Sequence, residues 1–341
     1  MPRVVLAPDK FRGTADAGTV VAAMSDAASE LGWQVAALPM SDGGEGFLGA
    51  AAVHCPVLVS TTVTGPDGHP VDAEWRYGDG IAVVESARAS GLALVGGAEG
   101  NDPMAATSRG TGELLVAAAR QVGPGGMVEV GLGGSACTDG GLGALRAVEE
   151  AGGLGEISLL VACDVDVTFV EAVRWFAPQK GATARQVVEL TERLTRVAEG
   201  YLDRYGIDVS MRPGSGAAGG LGGGLVLLGG RLLSGYRLVA DLVGLPDALA
   251  GADRVVTGEG ALDASSFLGK VVGGIVADTQ GRGLPTLVVA GRSTPDGEAE
   301  ARAAGCDVVA LTERFGSRPA VDTTAECIRE VTAGWLGPAD G

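Results

Sequence analysis

The chain has 341 residues, enough for about two domains of ~150 residues each, and 46% are hydrophobic but only 4% aromatic, so an aliphatic and alanine-rich core is expected. Its net charge of −17 argues against nucleic acid and against anionic membrane surfaces, because both reward clusters of Lys and Arg; a small anion held at a locally positive site stays compatible. Glycine, 58 residues where a typical chain carries roughly 7%, shows no three-residue period, which excludes a collagen-like chain.

In chain order, "RVVLA" (3–7) is a buried strand, 15–31 carries helical spacing, and "WQVAALP" (33–39) is a second strand: a βαβ opening. "VLVSTTVT" (57–64) and "VDAEWRYGDGIAVVE", joined by the turn "GPDGHP", alternate like antiparallel strands, so a second sheet starts near residue 60. A helix over 110–123 leads to a strand at 127–132, then to "GLGGSACTDGG" (131–141) and another helix. "ISLLVACDVD" (157–166) is a strand ending in an acidic loop, and 183–206 is a long amphipathic helix capped by Thr183. "SGAAGGLGGGLVLLGG" is a glycine loop running into a helix, too glycine-rich to span a bilayer. "ADRVVTGEGALD" (252–263) is again strand then acidic loop, and 285–291 and 306–312 are late strands. The last ~90 residues repeat the βαβ pattern of the start, so both ends can share one sheet.

The five cysteines (Cys55, Cys137, Cys163, Cys306, Cys327) form no C-x-x-C pair and read as reduced, small, buried residues. Only two histidines occur, His54 and His69, both in structural or solvent-facing contexts, so Ser-His-Asp hydrolysis and a His-ligated metal are disfavoured. The apolar run in the opening "MPRVVLAPDK" is too short to read as a signal peptide, and a cytoplasmic protein is expected.

Nearly every strand ends in a polar, acidic or glycine-rich loop: "APDKFRGT", "MSDGGEG", "GLGGSACTDGG", "ACDVD" and "TGEGALD". Ligands of parallel α/β sheets bind off the carboxyl ends of strands. Carboxylates to hold Mg²⁺ and orient a hydroxyl, cations, and glycine loops at helix starts are the parts that phosphoryl transfer uses. Each has a plainer reading: glycines for turn geometry, Asp164 and Asp166 as helix caps, lysines as solvated side chains. Lysine is scarce, however, and Lys10, Lys180 and Lys270 all lie in or beside glycine loops. No Walker A motif is present, and "GSGAAGG" follows Pro213 rather than a strand, a weak dinucleotide fingerprint.

Taken together the loops resemble the bacterial glycerate kinase family of the glyoxylate and glucarate pathways. "APDKFRGT", "MSDGGEG", "TGPDG", "SRGTGELL", "GLGGSACTDGG", "ACDVD", "PQKGAT", "GSGAAGGLG" and "TGEGALD…GK" stand in family order along nearly the whole chain. Two stretches depart from the family's pattern: 151–157 is brief, and "VTFVEAVRWFAPQKGA" replaces an Asn-Pro-Leu run. The resemblance implies an ATP- and Mg²⁺-dependent kinase for D-glycerate, with the 2-hydroxyl as the favoured acceptor. It implies two unlike α/β domains: a discontinuous, parallel, flavodoxin/Rossmann-like three-layer domain (1–60 plus 245–341), and an inserted mixed-sheet domain (61–244), with the active site in the cleft between.

The candidate residues follow. Asp164 is the first choice for general base, with Asp42 its rival. Lys10, Arg12 and Arg109 are candidates for the substrate carboxylate or the transferred phosphoryl, joined by Asp9, Ser135 and Lys180 on the substrate. Gly133, Gly134, Gly216, Gly219, Gly220 and Lys270 are assigned to ATP, and Asp166, Glu259 and Asp263 to Mg²⁺. Two alternatives remain, a kinase for another small hydroxy or sugar acid and a non-catalytic small-anion-binding descendant. The partners expected are a small-molecule substrate and neither nucleic acid nor membrane; the sequence leaves a homodimer open.

Overall fold

The structure, a computed structural model, describes residues 1–339. Its strands are β1 (Arg3–Leu6), β2 (Gln34–Ala37), β3 (Val57–Thr64), β4 (Pro70–Gly78), β5 (Ile81–Glu85), β6 (Met127–Gly131), β7 (Ser158–Ala162), β8 (Arg231–Leu233), β9 (Arg254–Leu262), β10 (Thr286–Ser293) and β11 (Asp307–Ala310). The chain divides into two units, residues 1–42 with 236–341, and residues 43–235.

The first unit is built from both chain ends around a five-stranded sheet of order β11-β10-β9-β1-β2, parallel throughout. Its central strands are largely apolar because helices cover both faces, as parallel sheets require. One face buries Val4, Leu6, Val256 and Val289 against Val20 and Met24 of the helix Ala17–Glu30 and Ile328 and Val331 of the helix Thr324–Leu336. The other packs Val288 and Ala290 on Val272 and Val276 of the helix Val271–Gln280 and on Ala301. Ala17–Glu30 begins where Asp16 accepts the N–H of Thr19 at 2.7 Å, and its buried residues (Ala17, Val20, Val21, Ala23, Met24, Ala27, Ala28) keep the 3–4 spacing of one helical face. This is the three-layer parallel domain expected from the alternating pattern.

The second unit holds a six-stranded mixed sheet of order β3-β4-β5-β6-β7-β8, antiparallel from β3 to β5 and parallel from β5 to β8. The helix Arg109–Val122 lays Leu114, Leu115 and Ala118 on it, each large aliphatic contributing roughly 1.5–3 kcal/mol of burial. The helix Ala184–Tyr205 carries the capping box that its sequence announces, Thr183 with Gln186. Residues 43–60, which the sequence pattern groups with the first strands, fold with this second unit. The reason is local: Glu85 accepts the N–H groups of Gly46 (3.1 Å) and Leu48 (3.0 Å), and a side chain on Gly43 would collide with Ala162. Residues 236–244 fold with the first unit, where the ring of Tyr236 lies against Gly274. Among the described residues no helix is long and apolar enough to cross a membrane. All five cysteines are free, four of them buried and Cys163 half-buried.

Candidate active site

The loops that leave the carboxyl ends of the first unit's sheet share one cavity of about 510 Å³. Asp9, Lys10 and Arg12 follow β1, Asp42 follows β2, Glu259 lies near the carboxyl end of β9 with Asp263 just after that strand, and Arg292 is the last residue but one of β10. Lys270 opens the helix behind β9. Seven of the residues singled out from sequence (Asp9, Lys10, Arg12, Asp42, Glu259, Asp263, Lys270) therefore line one pocket. Glu259 is part of a strand rather than of the acidic loop expected there, because β9 stays paired with β10 as far as Leu262 and Ser293.

Backbone pairing sets these side chains. The chain runs on beside β9 after β1, with Ala7 N–H donating to Val256 and Asp9 N–H to Gly258 (2.9 Å). Phe11, fully buried, pins the next turn, in which Thr14 and Ala15 both donate to its carbonyl. Lys10 and Arg12 flank that anchor. Gly260 is needed here: a Cβ on it would stand 2.8 Å from the Arg12 nitrogen.

Two carboxyls in the cavity are displaced from their ordinary range. Burial raises Asp9 to about 6, opposed by Lys10 and reinforced by Asp42. Burial likewise raises Glu259 to about 7, opposed by Ser266 and Lys270 and reinforced by Asp9. Oε1 of Glu259 is buried without a hydrogen-bond partner. Asp263 behaves differently. It caps the turn Ala264–Phe267, accepting from Ser265 N–H at 2.8 Å, and that bond holds its carboxyl below the usual range. Lys270 donates to Ser265 Oγ at 2.8 Å. Among the described residues no three His, Cys, Asp or Glu side chains gather to hold a metal ion by themselves. Mg²⁺ commonly takes one or two carboxylates and completes its shell with water and substrate phosphates. An orphaned, buried carboxylate oxygen fits that mode.

The remaining candidates belong to the second unit. Asp164 follows β7, and its Oδ1 accepts Gly235 N–H at 2.8 Å; Asp166 is exposed. Arg109 is already engaged by Glu113 (2.8 Å) and Glu150 (2.7 Å). Lys180 is buried, and its ammonium donates to the Cys137 carbonyl at 2.5 Å. Burial lowers its pKa. Ser135 is buried and accepts from Cys137 N–H at 3.2 Å.

The glycines of this unit have two different reasons to be glycine. Gly219 and Gly220 make room for the chain itself. A Cβ on Gly219 would lie 2.0 Å from the Cys137 carbonyl oxygen, and one on Gly220 would lie 2.7 Å from Gly140 Cα. Gly216 likewise faces the Thr168 carbonyl, and its N–H is spent on Val167. Gly134 is more open, since a Cβ on it meets only Ala87, at 3.5 Å, whereas one on Gly133 would stand 3.1 Å from Gly44 Cα; among the described residues no backbone carbonyl accepts either N–H.

Sequence reading missed Asp139 and Arg292. Asp139, in "CTDGG", is buried and accepts four hydrogen bonds, from Ser108 N–H and Oγ, Gly141 N–H and Gly143 N–H. It ties the start of Arg109–Val122 to the start of the helix Leu142–Glu150. Arg292 stands near the end of a strand in "AGRST", so the strand-end rule that found the other loops also covers it.

The model of the glycerate kinase family matches residues 4–152 and 151–334. The glycerate 2-kinase of Escherichia coli K12 is 36% identical over 331 residues, 86% of each chain. The glycerate kinase of Halalkalibacterium halodurans is 34% identical over 336 residues, covering 85% of this chain and 86% of the relative. A crystal structure of a candidate glycerate kinase 2 from Salmonella typhimurium LT2 superposes with a TM-score of 0.81 at 31% identity, covering 98% of this chain and 97% of that one. From residue 4 to residue 334 the chain therefore belongs to the glycerate kinase family, and it is a kinase.

Proposed function

We propose that the protein transfers the γ-phosphoryl group of ATP to a hydroxyl of D-glycerate, with 2-phosphoglycerate as the product. The family supports glycerate phosphorylation, and the E. coli relative is named for the 2-position. The observation that carries the reading is the charge pattern of the 510 Å³ cavity, where four acids and four bases stand on the carboxyl ends of one parallel sheet.

Asp9 is the group best suited to take the proton from the attacking hydroxyl, because a carboxyl raised to about 6 is ionised near neutrality yet basic enough to accept. Asp42, its neighbour in the cavity, is the rival. Lys10 and Arg12 neutralise charge on the phosphoryl in flight. Glu259 would hold Mg²⁺, whose charge, when bound, stabilises the phosphate oxygens. Gly133 and Gly134 present N–H groups suited to an anion. A cytoplasmic site of action fits a chain of reduced cysteines.

The test is ADP release with ATP, Mg²⁺ and D-glycerate, followed by phosphorus NMR of the product. A 2-phosphoglycerate signal supports the reading; a 3-phosphoglycerate signal corrects its regiochemistry; no ADP from folded protein overturns it. The acid limb of kcat/KM should fall with an apparent pKa of about 6. Arg109 has no part in this scheme, since two carboxylates already neutralise it. Arg109→Ala should cost at most about 1 kcal/mol by urea denaturation and leave KM for glycerate within about twofold.

A further inference from the structure

We propose that Arg292 grips the carboxylate of the acceptor and so makes this kinase choose an acid over a neutral polyol, an inference that rests on the functional reading above.

The geometry comes from the pairing of β9 and β10. Ala290 stands opposite Glu259 and Arg292 opposite Ala261. Residues paired across neighbouring strands project to the same face, and so do residues two apart along one strand. Glu259 and Arg292 therefore occupy opposite corners of a four-residue patch whose other corners are alanines. Two methyl groups leave the space between carboxylate and guanidinium open, and both charged residues line the cavity. Ala290 packs with the core beneath, which fixes the floor of the patch.

The charges sort themselves in the same way. Lys270 is held by Ser265 and faces Glu259, and Lys10 acts on Asp9. Among the described residues Arg292 makes no ion pair and no hydrogen bond, in a chain of net charge −17. Its guanidinium is exposed at the cavity and open to an anion from outside the chain. A guanidinium offers a planar fork that matches a carboxylate through two parallel bonds, whereas the phosphoryl side of the cavity already has Lys10, Arg12 and the cation expected at Glu259. In this proposal Arg292 takes the role that the sequence offered Arg109, which pairs with Glu113 and Glu150.

The experiment compares wild type with Arg292→Met and Arg292→Lys, measuring KM and kcat for D-glycerate and KM for ATP, with circular dichroism to confirm folding. The expected result is a KM for glycerate raised about 10- to 100-fold in Arg292→Met, with kcat within about threefold and KM for ATP unchanged. Arg292→Lys should lie between, and added methylguanidinium should restore part of the loss. A KM for glycerate within twofold of wild type, or a rise in KM for ATP instead, overturns the proposal. Should wild type release no ADP with glycerate, the functional reading falls on its own. Calorimetric titration with D-glycerate then decides Arg292: binding lost in Arg292→Met supports it, and equal binding or none by wild type overturns it.

Discussion

Glu259→Gln should lower kcat about 100- to 1,000-fold and, in the same protein, raise resistance to unfolding at pH 8. The two effects share one cause. Burial lifts the Glu259 carboxyl from its ordinary 4.5 to about 7, and among the described residues Oε1 has no hydrogen-bond partner. Between those two values the native protein binds more protons than the unfolded chain, so wild-type stability falls as pH rises through the window. Above pH 7 the whole penalty is present, about 2–3 kcal/mol once partial exposure of the side chain is allowed for. Glutamine does not titrate and carries none of it. The variant should therefore gain that amount at pH 8 and less than about 1 kcal/mol at pH 5, measured by urea denaturation without Mg²⁺ or ATP. Mg²⁺ should raise the melting temperature of wild type and leave that of the variant unmoved. Equal stability of the two proteins at pH 8 would sink the assignment. A residue that costs stability where it sits, and that a neutral isostere relieves, is retained for what it does to a ligand.

The sequence showed the frame of this site because the frame obeys local rules. Apolar runs mark the strands, and in a parallel sheet every strand end faces the ligand, so Asp9, Asp42 and Glu259 could be found without knowing which strands are neighbours. Their order across the sheet, β10-β9-β1-β2, is a long-range property with no local trace. The strand-end rule covers Arg292 too, but that it stands diagonally across from Glu259, 33 positions away in the chain, is visible only in the strand pairing. Burial was the other unreadable quantity. Lys180 in "PQKGAT" and Lys10 in "PDKFRGT" look alike as lysines near glycines, yet Lys180 is buried on a carbonyl and Lys10 lines a cavity. Asp139 escaped for the same reason, since a carboxylate in a glycine loop reads equally well as a ligand for a cation and as the knot of four internal hydrogen bonds that it is.

The glycines show most sharply how little a local sequence reveals of what surrounds a residue. Gly219→Ala should cost more than about 4 kcal/mol and leave the second unit unfolded or loosely packed, whereas Gly134→Ala should cost only about 1–2 kcal/mol. Both positions have positive φ, +71° and +60°, so both pay the same left-handed penalty for a Cβ. The difference is what the Cβ meets. At Gly219 it would stand 2.0 Å from the Cys137 carbonyl oxygen and 2.9 Å from Lys180 Nζ. Neither atom can retreat, because that oxygen accepts the buried ammonium and Gly219's own carbonyl accepts Gly140 N–H at 3.0 Å. At Gly134 nothing of the chain comes nearer than 3.5 Å. Near-UV circular dichroism and urea denaturation separate the two variants, and nucleotide titration completes the test. If glycine at 219 served a ligand's approach, Gly219→Ala would fold normally and lose only binding. If glycine at 134 serves the ligand, it is Gly134→Ala that stays folded and loses turnover, with Gly134→Val losing all of it. A folded, fully active Gly134→Val would remove that loop from phosphate binding.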